Sequence, residues 1–169
     1  MLFIMRGASC SGKDTFIDKF YHNRNAVLSS DQFRELLFGD IGSQQQNDRV
    51  FDMIFNILET RMLNRVNWTV LNSTNLRFKD VHRPIELCKK YHVPFTFISI
   101  IPPDLEVMIE RNKKRRLQTG LDIPELVLER HHARYENCKE PFLREATYNE
   151  LCTWVEIDQD YEVVQCIQS

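Results

Sequence analysis

The chain lacks any apolar run approaching the roughly 18 residues of a membrane span, so no membrane association is expected. It also lacks a CxxC pair. Its five cysteines, Cys10, Cys88, Cys138, Cys152 and Cys166, are odd in number and scattered. That pattern argues against a disulfide framework or a zinc site and for a reducing, cytoplasmic setting. The apolar start, Met1-Leu2-Phe3-Ile4-Met5, has neither a basic leader nor a small-residue cleavage site, so no signal peptide is expected. There is no internal repeat and no low-complexity linker. A net charge of −2 lacks the basic excess of indiscriminate nucleic-acid binders, while leaving room for a local basic groove.

What is present is an ordinary globular composition. The 169 residues are 43% hydrophobic and 27% charged, as for one domain spanning 1–169. Short apolar runs alternate with helical patterns. Leu2–Met5 ends at Gly7 as a buried parallel strand should. Ala26–Leu28, Trp68–Leu71, Phe95–Ile101 and Thr153–Ile157 are further strands, and Tyr161–Ile167 alternates like a final one. Helices are expected over Asp14–His22, Asp31–Phe38, Gln44–Val66 and Phe78–Tyr91, and from Asp104 through about Lys114. In the third of these, Phe51, Ile54, Phe55, Leu58, Met62 and Val66 make one apolar face. Asp122, with Glu125, is the expected cap of a helix over Pro124–Asn137. Five strands interleaved with helices predict an α/β layered fold with a parallel five-stranded sheet flanked by helices. Ligands then sit beyond the carboxyl ends of the strands.

The first strand is followed by Gly7-Ala8-Ser9-Cys10-Ser11-Gly12-Lys13-Asp14-Thr15. This is G-x-x-x-x-G-K between a strand and a helix. The glycines let backbone N–H groups wrap a phosphate, and the helix N-terminus adds its dipole. Lys13 can reach the outer phosphates. The usual next residue is Ser or Thr; here it is Asp14, followed by Thr15.

Three further segments fall after strands or carry charge. Asp31 stands at the sheet edge and could take a proton from an attacking hydroxyl. Arg34, three residues on, shares its helix face and could bind an acceptor phosphate bidentately; the plain alternative is a capping Asp with a solvated Arg. Asn72-Ser73-Thr74-Asn75 suit either a metal or phosphate shell or a helix cap. Arg111-Asn112-Lys113-Lys114-Arg115-Arg116 carries five positive charges in six residues and breaks at Gly120. Such a segment can close over a nucleotide as a lid, spanning about 111–123, or simply complement a helix end. His131-His132 have no third ligand at metal spacing and are assigned to packing or surface. Asp158-Gln159-Asp160 is expected to be a turn.

With these elements in order, the chain resembles the kinase domain of polynucleotide 5′-kinases of the bacteriophage and bacterial end-healing type, from Met1 to about Tyr135. Ser30-Asp31-Gln32-Phe33-Arg34 is similar to the family's D-x-x-R element. Ser73-Thr74-Asn75-Leu76 is similar to its D-T-N-L strand end. Arg111-Asn112-Lys113-Lys114-Arg115 matches its lid pattern R-N-x-K-R, and Ile123-Pro124 the segment after the lid.

The resemblance implies a P-loop kinase fold with a helical lid. It implies transfer of the γ-phosphate of ATP, with Mg²⁺, to 5′-OH ends of DNA or RNA, and a separate phosphatase or ligase as partner. Lys13 and the loop from Gly7 through Ser9, Cys10, Ser11, Gly12, Asp14 and Thr15 would hold the donor phosphates. Asp31 would be the general base, Arg34 the anchor of the acceptor phosphate, and Arg115 the lid arginine. Asp14 stands where the family has a hydroxyl and Ser73 where it has a carboxylate, so the two metal ligands would be exchanged in position. Two alternatives stay open: a small-molecule or nucleoside monophosphate kinase, and a nucleotide-binding module without catalysis.

Overall fold

A computed structural model describes residues 1–169. Six strands form one sheet in the order β2-β3-β1-β4-β5-β6. They are β1 (Leu2–Arg6), β2 (Val27–Ser29), β3 (Thr69–Asn72), β4 (Phe95–Ile100), β5 (Cys152–Ile157) and β6 (Val163–Gln168). The first five are mutually parallel, and β6 runs antiparallel to β5. The fold is thus α/β with helices on both faces, and the expected five-stranded sheet gains a sixth strand at its edge. Every residue of β4 is buried, whereas β6 is largely exposed. Two-sided burial suits a central parallel strand, and one-sided exposure suits an antiparallel edge.

β1 lies between β3 and β4, with Ile4 opposite both Leu71 and Phe97. Its side chains divide by strand alternation. Leu2 and Ile4 enter a core with Ile54, Leu58, Val81, Phe142 and Trp154. Met5 enters the opposite core with Ile17, Val70 and Ile98. The helices are α1 (Lys13–Phe20), α2 (Ser30–Phe38), α3 (Asn47–Leu63), α4 (Phe78–Tyr91), α5 (Leu105–Thr119), α6 (Glu125–Asn137) and α7 (Glu140–Tyr148). None is long and apolar enough to cross a membrane.

Several boundaries differ from the sequence expectation for identifiable reasons. α3 is shorter than Gln44–Val66 because Gln46 (φ 57°) and Arg65 (φ 52°) are left-handed at its two ends. α5 runs past Lys114 until Gly120, at φ 73°, ends it. Asp122 does not cap α6. It accepts a bond from Asn112 Nδ2 at 3.2 Å and pairs with Arg116 at 3.1 Å, and Pro124 takes the cap position. α7 was not anticipated; it is short and buries only Phe142 and Ala146.

Candidate active site

The carboxyl ends of β1, β2 and β3 converge on one cleft of about 260 Å³. The loop after β1 forms its floor. Gly7 is required there, since a Cβ would stand 2.8 Å from Ser11 Oγ and 3.3 Å from the Ile100 carbonyl. Gly12, at φ 106°, is left-handed where the chain turns into α1. Cys10 shares that region at φ 62°, a conformation that costs a residue with a Cβ about 1–2 kcal/mol. The Gly7 N–H bonds the Thr74 carbonyl at 3.0 Å, and Asn75 Nδ2 bonds the Met5 carbonyl at 2.7 Å, tying the loop to the end of β3.

Lys13 is buried, and its Nζ donates to the carbonyls of Gly7 (3.0 Å) and Ala8 (2.7 Å). Burial lowers its pKa, with Asp14 and Asp31 opposing the shift. Ser11 Oγ is buried without a partner. Asp14 and Thr15 lie exposed in the first turn of α1. Asp14 Oδ1 accepts from Asn72 Nδ2 at 2.8 Å. Ser73, the next residue, lines the same cleft, and its Oγ is 3.5 Å from that of Ser30.

α2 starts where β2 ends, so Asp31 stands in its first turn, where the helix dipole favours a carboxylate. Two arginines hold it. Arg34 Nη1 is 2.7 Å from Oδ1, and Arg115 Nη2, from α5, is 3.1 Å from Oδ2. Arg34 is otherwise engaged. Its Nε (3.1 Å) and Nη2 (3.0 Å) both donate to Asn47 Oδ1, so the solvated side chain weighed as the alternative is excluded. The bidentate edge expected to meet a phosphate meets an amide oxygen instead.

His131, assigned from sequence to packing or surface, lines the cleft. Its Nδ1 shares a 3.0 Å hydrogen bond with Ser9 Oγ. Burial, and then Lys13 and Arg134, push its pKa down to about 4, so the imidazole is neutral at pH 7. The helix carrying it is pinned one turn later. Buried Arg6 donates to the Tyr135 carbonyl and to Ser99 Oγ (3.1 Å), and its guanidinium lies 4.5 Å from the Tyr135 ring centre. Tyr135 Oη in turn donates to Glu156 at 2.7 Å.

On the outer side of the loop, the Asp158–Asp160 segment is a turn, and its middle residue reaches the phosphate loop. Gln159 Nε2 donates to the Ser11 carbonyl at 3.1 Å, and its Oε1 accepts from Arg111 at 2.9 Å. Burial raises the pKa of Cys10, which lines both sides of the loop, against the pull of Arg115 and Lys13. His131, Asn47, Asn72 and Gln159 meet the site only through folding. His131 and Gln159 lie 122 and 148 residues from their loop partners. The helical spacing of His131 and Tyr135 is the one trace of this in the sequence.

The fold and this geometry can be set beside known proteins. A family model described as "AAA domain" matches residues 2–138. No curated protein matches the chain significantly. A chain in the structure of the Pnkp1/Rnl/Hen1 RNA repair complex aligns at TM-score 0.70 and 26% identity, covering 83% of this chain and 45% of that one. The AvrRxo1-ORF1:-ORF2 complex with ATP aligns at TM-score 0.72 and 16% identity, covering 97% of this chain and 56% of that one. A gluconokinase from Sinorhizobium meliloti 1021 aligns at 0.51 and 15%, covering 91% and 81%. The chain thus spans about half the length of the first two. The phosphate loop, the converging strand ends and the match over most of the chain agree: this chain belongs to the AAA domain family and has a P-loop kinase-like fold.

Proposed function

We propose that the protein is a polynucleotide 5′-hydroxyl kinase, transferring the γ-phosphate of ATP to 5′-OH ends of DNA or RNA in nucleic-acid end repair. The observation that carries this reading is the grouping of Lys13, Asp31, Arg34 and Arg115 around one cleft. A donor-phosphate ligand, a base and two arginines are what an in-line phosphoryl transfer uses. The relative at 26% identity, from an RNA repair complex, supports the same reading.

In this reading the loop amides and Lys13 hold the β- and γ-phosphates. Asp31 accepts the proton of the 5′-hydroxyl as its oxygen bonds to the γ-phosphorus. The bond from that phosphorus to the β–γ bridging oxygen breaks, and ADP leaves. Arg34 receives the phosphate on the 3′ side of the acceptor nucleotide, displacing the Asn47 amide oxygen. The C-terminal half of α5 and the loop to about residue 123 act as the lid, and Arg115 moves from Asp31 to the donor phosphates.

The donor set suits Mg²⁺, which binds through one or two carboxylates with substrate phosphates and water. Asp14 and Ser73 face one cleft and would hold it. Mg²⁺, when bound, neutralises charge on the transferring phosphates. The chain would form one domain and work beside a separate phosphatase or ligase.

The test is labelled-phosphate transfer to a panel of 5′-OH oligonucleotides, nucleoside 3′-monophosphates and nucleoside 5′-monophosphates. Label on the 5′-OH ends is expected. Label on the 5′-monophosphates alone would favour a small-molecule kinase.

A further inference from the structure

The cleft does not stop at Arg34. A second chamber of about 320 Å³ continues from it between α2, α3 and the segment after β3. The two share Arg34, Gln44, Ser73 and Thr74 as common walls. Its remaining lining has two chemistries. One wall is aromatic: Phe51 is half-buried, Phe55 is buried behind it, and their ring centres are 5.9 Å apart. The other is hydrogen-bonding, with Asn47 and Asn75. At the rim, Arg77 holds Asp80 through three contacts of 2.8–3.2 Å, so the one carboxylate facing the chamber is neutralised.

We propose that this chamber seats the second nucleoside of the acceptor strand, its base lying against Phe51. The inference rests on the polynucleotide reading above and extends it to the strand beyond the reacting end. Three features select this occupant. The chamber opens past Arg34, so whatever follows the anchored phosphate in a polymer must enter it. The Nε–Nη2 edge of Arg34 lies against Asn47, on the chamber side, and the Asn47 amide oxygen stands where a phosphate oxygen would. An aromatic face opposite carboxamides is a surface on which any base can stack while its edge finds hydrogen-bond partners. The volume lies at the lower end of small-ligand sites, enough for one nucleoside and not for a duplex.

The test compares two acceptors, a nucleoside 3′-monophosphate and a dinucleotide, both with a free 5′-OH. A dinucleotide abasic at its second position serves as control. In the wild-type protein the intact dinucleotide is expected to have the lowest KM. Base stacking on an aromatic is worth about 1–3 kcal/mol by truncation, so Phe51→Ala should raise the KM of the dinucleotide about tenfold relative to that of the nucleoside 3′-monophosphate. Phe51→Leu, which keeps apolar packing on α3 without the ring, should do the same. Phe51→Tyr should restore the wild-type ratio. Equal effects on both acceptors, or a wild-type KM that ignores the second base, would overturn the chamber assignment and leave the kinase reading standing. Absence of transfer to any 5′-OH acceptor would remove that reading and the chamber assignment with it.

Discussion

Arg115 Nη2 lies 3.1 Å from Asp31 Oδ2, so the arginine assigned to the donor phosphates rests on the group assigned as base. The pair is partly exposed, with 27% of the arginine side chain and 42% of the aspartate accessible. Ion pairs of this exposure contribute about 0–1 kcal/mol. A triphosphate offers the guanidinium more charge and two-pronged geometry, so nucleotide binding draws Arg115 off Asp31 and frees the base.

Arg115→Ala should therefore lower phosphate transfer by roughly 10²–10³, the usual loss for one transition-state donor. Arg115→Lys should stay clearly impaired, because lysine lacks the planar fork. Arg116 pairs with Asp122 outside the cleft, and its replacement by Ala should matter less. Steady-state rates of the three variants decide this; a larger loss in Arg116→Ala would contradict it.

Asn47 guards the outer edge of Arg34. Asn47→Asp would place a negative charge on that edge and compete with an acceptor phosphate. Charged hydrogen bonds are worth about 1.5–3 kcal/mol, so KM for acceptors bearing a 3′ phosphate should rise roughly tenfold or more, with a smaller change for plain nucleosides. Equal changes for both would make Arg34 only a positioning residue for Asp31.

Asp14 and Ser73 test the exchanged metal ligands. Asp14→Ser and Ser73→Asp should each impair transfer, and the double variant should recover much of the loss. The recovery is a coupling energy, read from a double-mutant cycle across a range of Mg²⁺ concentrations. Additive losses would mean that Asp14 serves only its bond to Asn72 and the first turn of α1.

His131 gives the site an acid-sensitive element. In the unfolded chain it binds a proton near pH 6.5, in the native protein only near pH 4. The unfolded state thus takes up more protons between those values. The stability due to the neutral imidazole is present above pH 6.5 and is lost as pH falls toward 4. Denaturant unfolding of His131→Gln should show a flatter pH dependence in that window than the wild type. Identical slopes would remove His131 as a source of the acid sensitivity.

Much of the scaffold was legible in the residues, because parallel strands must be apolar on both faces and glycine must stand where the loop turns tightly. Leu2–Met5, the loop from Gly7 to Lys13 and the Ser30–Arg34 element could be read in this way. Helix ends were less legible. Gln46 and Arg65 carry no sign of left-handed backbone, and Asp122 looks like a cap until Asn112 and Arg116 take it. The linkages that finish the site are long-range. Nothing in the sequence pairs Ser9 with His131, Asn47 with Arg34, or Gln159 with the Ser11 carbonyl; those contacts follow from the order of strands and the packing of α6 on buried Arg6.

The central claim is the identity of the acceptor, and one competition measures it. Equimolar 5′-OH oligonucleotide and nucleoside 5′-monophosphate are mixed with γ-labelled ATP, Mg²⁺ and either the wild-type protein or Asp31→Asn. The account predicts label at the 5′ end of the oligonucleotide, reduced by roughly 10²–10⁴ in the variant while ATP still binds. Label on the monophosphate in place of the oligonucleotide, or undiminished transfer by Asp31→Asn, would contradict it.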